Sequence, residues 1–295
     1  MPKPKVIAIV GPTASGKSAL GIFLAAKIEG EIISADSRQV YRGLDIATGK
    51  VTKKEMADIP HHLLSVASPK KQFTVDDFVR LAEKVCSQIL KNSRIPLVVG
   101  GTGLYVDTLL GRMSYPAVPP DPKLRARLSK KSAPALFAML QQLDPARTHA
   151  IDAKNPRRLV RAIEIAKALG KNPLPQPEQK YEVLWLGLAP EDKKLKANIR
   201  KRTLARMRGG MVAEAQRLHK AGLSYKRMQE LGLEYRSLAR YLQKEISLGE
   251  LAQEIEKGNW DYAKRQMTWF KRNKDIIWVN SKAEAVRLAK AFISS

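Results

Sequence analysis

Residues 5–18 constrain the fold more tightly than any other stretch. Lys5-Val6-Ile7-Ala8-Ile9-Val10 has the apolar bias of a buried strand, and Gly11-Pro12-Thr13-Ala14-Ser15-Gly16-Lys17-Ser18 follows with the spacing G-x-x-x-x-G-K-S. Helix formers run from Ala19 to Lys27, so strand, glycine loop and helix come in the order such a loop requires. Gly11 and Gly16 let the backbone turn tightly and approach an anion with no Cβ in the way. The loop N–H groups and the positive end of the helix then face that anion. Lys17 supplies a point charge, and the Ser18 hydroxyl is placed to ligate Mg²⁺. A loop that merely caps a helix explains neither residue. The chain is therefore expected to bind a diphosphate or a triphosphate.

Charge is the strongest bulk signal. The 295 residues hold 53 Lys and Arg against 28 Asp and Glu, a net charge of +25. Residues 1–110 hold 15 basic and 10 acidic residues, so the remainder carries +20. A phosphate loop needs only local charge, and a surplus of that size elsewhere points to a polyanion, most simply nucleic acid. No apolar run approaches the ~20 residues of a membrane span. The single cysteine, Cys86, excludes an intramolecular disulfide and lies in an apolar helical pattern as a core filler. These features predict a cytoplasmic protein without membrane contact, and the lack of coiled-coil heptads predicts a monomer.

Along the chain, Glu31-Ile32-Ile33-Ser34 reads as a second strand ending at Ala35-Asp36-Ser37-Arg38-Gln39-Val40-Tyr41. Ligands of α/β sheets bind at the carboxyl ends of strands, which puts Asp36 beside the phosphate loop as a general base or an acceptor-holding group. A helix N-cap is its plainer reading. His61-His62 enters another strand, where adjacent residues face opposite ways and make poor joint metal ligands. A helix is predicted from Thr74 to about Lys91, with Phe78, Leu81, Val85 and Ile89 at helical spacing. Ile95-Pro96-Leu97-Val98-Val99 is a buried parallel strand by pattern, ending in Gly100-Gly101-Thr102-Gly103. A P-loop ATPase would place a Mg²⁺-binding acid there. A glycine turn with one hydroxyl suits positioning a substrate instead.

Four prolines within residues 116–122 mark a domain edge. Helices are predicted over about 122–130, 133–143 and 156–169, then a proline-rich closing stretch over 172–179, a returning strand over 182–188, and helices over 191–208, 211–221, 225–242 and 248–274. Residues 276–279 read as an edge strand. The predicted fold class is α/β: a P-loop NTPase-like parallel sheet flanked by helices, built from residues 1–112 and 181–295, with an inserted all-helical subdomain over 113–180. The last long helix interleaves basic and aromatic side chains (Tyr262, Lys264, Arg265, Trp269, Phe270, Lys271), the mixture of a nucleic-acid or phosphate surface.

Four blocks together, Gly11 to Ser18, Asp36 to Tyr41, Gly100 to Tyr105 and Tyr262 to Phe270, resemble the tRNA dimethylallyltransferases, also called tRNA isopentenyltransferases. The resemblance runs over nearly the whole chain. It implies transfer of a dimethylallyl group from dimethylallyl diphosphate to N6 of the adenosine immediately 3′ of the anticodon, in the anticodon stem-loop of a tRNA, with release of diphosphate. It implies that Gly11 to Ser18 (Gly11, Pro12, Thr13, Ala14, Ser15, Gly16, Lys17, Ser18), Arg202 and Mg²⁺ hold the diphosphate, with Thr13 near the reacting oxygen. Asp36 becomes the base that takes an N–H proton of the amine, and Thr102 a contact near the target base. Ser37, Arg38, Gln39, Lys264, Arg265 and Gln266 are implied to hold RNA, as are Arg125 and the run Arg157-Arg158-Leu159-Val160-Arg161. Asn198 stands where the family often has an arginine. Two other readings use the same loop: an adenylate isopentenyltransferase acting on free AMP or ATP, and a P-loop small-molecule kinase.

Overall fold

The computed structural model describes residues 2–114, 116, 118–149, 151–170 and 176–295. Among these the chain divides into two compact units, Met1–Arg112 with Gln179–Ser295, and Met113–Glu178. Residues 115, 117 and 171–175, in the two proline-rich stretches, lie outside the described residues.

The first unit is built on a six-stranded sheet. Its strands are β1 (Lys5–Val10), β2 (Gly30–Ser34), β3 (His61–His62), β4 (Ile95–Gly100), β5 (Glu182–Gly187) and β6 (Ile277–Trp278). The spatial order is β3-β2-β4-β1-β5-β6, and every pairing is parallel. The central strands read as near-continuous Val, Ile and Leu because helices cover both faces. Residues 6–10 of β1 are all fully buried. Chain order reverses across the β4–β1 boundary, the position where doubly wound sheets open a ligand crevice. Register makes that crevice sharp. Val10 pairs with Gly100 and with Gly187, and Ser34 pairs with Val99. The segments that follow β1, β2 and β4 therefore leave the sheet at one level, so Gly11, Asp36 and Gly101 are neighbours.

Helix α1 (Lys17–Ile28) packs on β4 and β2, burying Leu20 and Leu24 among Ile7, Ile9, Leu97 and Val99. Full burial of such a side chain contributes about 1.5–3 kcal/mol. After it come α2 (Lys53–Met56), α3 (Val75–Lys91) and α4 (Gly103–Leu109). The α3 helix starts at Thr74, whose hydroxyl and the Asp77 carboxylate cap each other's backbone N–H groups. Cys86 on α3 is fully buried, and burial pushes its thiol up to about 12, so it acts as a core atom group.

The second unit holds α5 (Pro122–Leu128), α6 (Ala133–Leu143), α7 (Pro145–Thr148) and α8 (Pro156–Leu169). Leu124, Leu128, Leu136, Leu140, Leu159 and Ile163 form its core. Glu164 is 2% exposed inside it. The Arg125 guanidinium donates to both Glu164 oxygens (2.9 and 2.8 Å), Arg161 donates at 2.7 Å, and the Asp121 amide donates at 2.7 Å. Burial works to raise the Glu164 carboxyl, but these donors outweigh it and hold it near 2.

The first unit continues through α9 (Asp192–Arg208), α10 (Met211–Lys220), α11 (Tyr225–Glu230), α12 (Leu233–Leu242), α13 (Leu248–Phe270) and α14 (Lys282–Ser294). The continuous helix predicted over 225–242 is two helices. Gly232 breaks it with φ of +120°, and a Cβ there would sit 2.8 Å from Nε of Arg38. Among the described residues, no helix is long and apolar enough to cross a membrane.

Candidate active site

The phosphate loop runs from the end of β1 to the first turn of α1. Gly11 has φ of +152°, and a Cβ on it would meet the Leu188 carbonyl oxygen at 2.6 Å. Gly16 has φ of +92° and caps α1. Ala14 is also left-handed at +61°, held by a hydrogen bond from Asn198 Nδ2 on α9 to its carbonyl at 3.1 Å. The residue that departs from the family pattern therefore braces the loop. Lys17 Nζ curls back to donate to the Pro12 carbonyl at 3.0 Å. Burial brings its amine down to about 8, with neighbouring Arg202 adding to the effect and Asp36 opposing it. Burial and then Arg206 likewise lower Arg202, to about 10. Two cations whose charged forms are destabilised next to a glycine loop make a site in want of an anion. The Ser15 hydroxyl is buried with no partner among the described residues.

Thr13, Ser15 to Ser18, Asp36 and Arg202 all line one cavity of about 430 Å³, with Ile32, Val51, Leu64 and Val99 as its apolar wall. A second cavity of about 310 Å³ is lined by Ser37, Arg38, Arg206, Glu234, Arg236, Asn259 and Arg265. Thr13, Asp36, Thr48 and Tyr262 line both. Asp36 thus stands between the phosphate loop and a basic pocket. Its Oδ1 accepts from the backbone of Arg38 (2.8 Å) and Gln39 (3.3 Å), an Asx turn that fixes the carboxylate. Its Oδ2 has no hydrogen-bond partner among the described residues.

The glycine turn after β4 locks against this segment. The Thr102 amide donates to Ala35 O at 3.2 Å, and Thr102 Oγ1 accepts from the Ser37 amide at 3.0 Å. A Cβ on Gly100 would lie 2.1 Å from Ala35 O, so only glycine fits. Burial, with the Asp36 charge adding, pushes the Tyr262 phenol up to about 12, while a hydrogen bond with Thr102 works the other way.

Several residues expected at an RNA surface have other work. Gln266 is 5% exposed; its Oε1 accepts from the Thr13 amide at 2.7 Å and its Nε2 donates to Gly101 O at 2.8 Å. It is a strut between the phosphate loop and the glycine turn, not an RNA contact, because α13 turns this face inward with Ala263 and Phe270. Leu159 is fully buried in the core of the second unit and cannot touch a ligand, and Val160 packs against that core. Arg125 and Arg161 hold Glu164, while Arg157 and Arg158 are exposed. Lys264 and Arg265 are exposed, and Lys264 pairs with Asp261 at 2.8 Å. Gln39 donates to Gly49 O at 3.3 Å. His61 lines the first cavity and His62 bonds Glu31 at 2.7 Å. Sequence reasoning missed Thr48, Glu234 and Asn259, whose place at the site depends on loops and helices far apart in the chain. Tyr262, expected only as one aromatic of a basic helix surface, instead lines both cavities.

Residues 39–273 match the IPP transferase family, and residues 4–71 match the isopentenyl transferase family. The chain is 41% identical to tRNA dimethylallyltransferase 1 of Geotalea uraniireducens, over 90% of this chain and 88% of that protein. It is 39% identical to tRNA dimethylallyltransferase 2 of Citrifermentans bemidjiense, over 97% and 94%. Its fold superposes on the crystal structure of the tRNA isopentenylpyrophosphate transferase of Bacillus halodurans with a TM-score of 0.74 at 34% identity, covering 99% of this chain and 96% of that one. A eukaryotic dimethylallyltransferase shares the fold, with a TM-score of 0.84 at 23% identity, over 99% of this chain and 80% of that one. With its glycine loop, inward-facing Asp36 and clamped Gly100-Gly101-Thr102 turn, this chain belongs to the IPP transferase family.

Proposed function

We propose that the protein is a tRNA dimethylallyltransferase: it moves the dimethylallyl group of dimethylallyl diphosphate to N6 of the adenosine immediately 3′ of the anticodon and releases diphosphate. The observation that carries this reading is the position of Asp36 on the wall of both cavities. The phosphate-loop cavity takes the diphosphate donor, and the cavity rimmed by Arg38, Arg236 and Arg265 takes the extruded base.

The chemistry follows from the groups present. An adenine amine is a poor nucleophile because its lone pair is delocalised into the ring. The unpartnered Asp36 Oδ2 accepts an N–H proton as the nitrogen attacks, aid typically worth 10²–10⁴ in rate. The C–O bond to the diphosphate breaks with its electron pair leaving on oxygen. Lys17, Arg202 and the loop N–H groups neutralise the charge that grows there. The donor set at the loop is oxygen-based: the Ser18 hydroxyl, with the Asp36 carboxylate on the same cavity wall. Among the described residues no cluster of three His, Cys, Asp or Glu forms a metal cage. That fits Mg²⁺ held by Ser18 together with diphosphate oxygens, as hard cations with few protein ligands are; bound there it would act as a Lewis acid on the leaving group. A target base reaches such a pocket by leaving its stack, which a single-stranded loop permits at low cost.

The test is incubation with radiolabelled dimethylallyl diphosphate and equimolar unmodified tRNA and AMP. Label on tRNA with stoichiometric diphosphate is the expected result. Label on AMP alone overturns the reading in favour of an adenylate isopentenyltransferase. Phosphate transfer from ATP with no labelled product overturns it in favour of a kinase.

A further inference from the structure

An exocyclic amine carries two N–H bonds, and the reaction removes only one. If Asp36 takes that proton, the second N–H needs an acceptor, or the amine is free to rotate its lone pair away from the donor carbon. Among the described residues four line both cavities, and two of them, Thr13 and Asp36, already have roles. Burial keeps the Tyr262 phenol protonated, so what it brings to the cavity is an O–H donor. The remaining one is Thr48, and its hydroxyl has an unusual bias. Thr48 Oγ1 donates to the Leu44 carbonyl at 2.6 Å, so its proton is already used inside the loop. With that proton spent, the hydroxyl of this cavity-lining residue is left with lone pairs, so it can accept but not donate.

Thr48 is also held in place. Glu214 on α10 is 1% exposed and its carboxylate accepts from three successive backbone amides just before Thr48: Asp45 (2.9 Å), Ile46 (2.7 Å) and Ala47 (3.0 Å). The Tyr235 hydroxyl of α12 donates to the same carboxylate at 2.7 Å. Arg206 on α9 donates to the Ala47 carbonyl at 3.1 Å, and Gln39, in the Asp36 turn, donates to the Gly49 carbonyl at 3.3 Å. Three helices and the Asp36 turn therefore fix one short loop. A buried carboxylate is costly unless fully hydrogen-bonded, and here four donors satisfy it.

Building on the proposed transfer reaction, we infer that Thr48 is a second catalytic contact, the acceptor for the N6 hydrogen that stays, and that Glu214 is its positioning residue. The N6 lone pair forms the bond to the allylic carbon, the C–O bond breaks toward diphosphate, one proton passes to Asp36, and the other remains on nitrogen, bonded to Thr48 Oγ1. Positive charge grows on nitrogen during attack, so this bond strengthens in the transition state and shows in kcat more than in binding.

Thr48→Val keeps the shape and removes the acceptor, together with the hydroxyl's bond to the Leu44 carbonyl. It is expected to lower kcat by about 10- to 100-fold, as loss of one transition-state hydrogen bond does. The KM for dimethylallyl diphosphate and the Kd for tRNA should stay within about threefold, and Thr48→Ser should recover most of the rate. Glu214→Gln, alone and combined with Thr48→Val, completes a cycle. If Glu214 acts through Thr48, the double variant is no slower than the slower single one. A Thr48→Val enzyme within threefold of wild-type kcat, a parallel loss of tRNA affinity, or fully multiplicative losses in the cycle would overturn the assignment. If Thr48→Val melts early, Thr48→Ala, judged by the same split between kcat and binding, decides instead. A wild-type enzyme that leaves tRNA unlabelled overturns the reaction itself, an outcome distinct from any result of the variants.

Discussion

Lys17 shows how much one side chain carries. Its amine, brought down to about 8 by burial, is charged below that pH and loses its charge as the pH rises through it. A diphosphate binds the charged form. Donor affinity should therefore be near its maximum at about pH 7, above the donor's own phosphate ionisation, and fall roughly tenfold or more by about pH 9.5. Titration of donor binding by calorimetry checks this, and Lys17→Met should give a weaker, flat profile over the same range. A flat wild-type profile would contradict the reading. The identity and order of such residues were legible in the sequence, because G-x-x-x-x-G-K-S has one common structural use. Asp36 was legible as a site residue from its position after β2. Its Asx turn, which leaves one carboxylate oxygen unpartnered, was not, since that depends on the local path of the chain. Gln266 was misread for a related reason. A residue between Arg265 and Met267 in a basic stretch looks like surface, and only helix phase against the glycine turn decides that it faces inward.

Elements transmit these local choices. Gln266 ties α13 to both the phosphate loop and the turn after β4, so Gln266→Leu leaves a buried donor and a buried acceptor unmatched. We expect it to cost about 2–3 kcal/mol in urea unfolding and to raise the donor KM. Unchanged stability would mean that water replaces the amide. In the second unit, Glu164 links α8 to α5. Its carboxyl, held near 2 against an unfolded value of about 4.3, contributes stability above pH ~4.3 that is lost as the pH falls through ~2. The acid unfolding limb should lie in that window. Glu164→Gln should lower stability by roughly 2–3 kcal/mol at pH 7, below the usual cost of breaking a buried pair because both arginines are partly exposed. Most elements were legible in advance: the predicted helix from Thr74 to Lys91 is α3, opened by its capping box, and the Ile95-Val99 strand is β4. The break at Gly232 was not, because a lone glycine is tolerated inside a helical pattern. Here it is the left-handed φ of +120° at the start of α12 that demands glycine, with the Arg38 side chain packed close against it.

At the scale of the whole molecule, the chain is strongly basic, and its parallel sheet delivers three loops to one rim. The charge of +25 predicts a steep salt dependence of tRNA binding. Arg157 and Arg158 are exposed on α8, so replacing both with alanine should weaken tRNA binding several-fold and reduce the salt slope by about 1.4–1.8. The donor KM should not move. Filter binding across a salt series measures the first, and steady-state kinetics the second. The pairing of two cavities was not visible in sequence, since Thr13, Asp36 and Thr48 lie in separate loops and Tyr262 comes from a helix more than 200 residues later. Their convergence underlies the proposed reaction, with the donor on one side of Asp36 and the nucleobase on the other. Single-turnover transfer by Asp36→Asn, with donor and tRNA both saturating, is the decisive measurement. We expect a rate lower by about 10²–10⁴ with the affinities for inorganic diphosphate and tRNA unchanged. A rate within a few-fold of wild type, or an equal loss of tRNA binding, would contradict it.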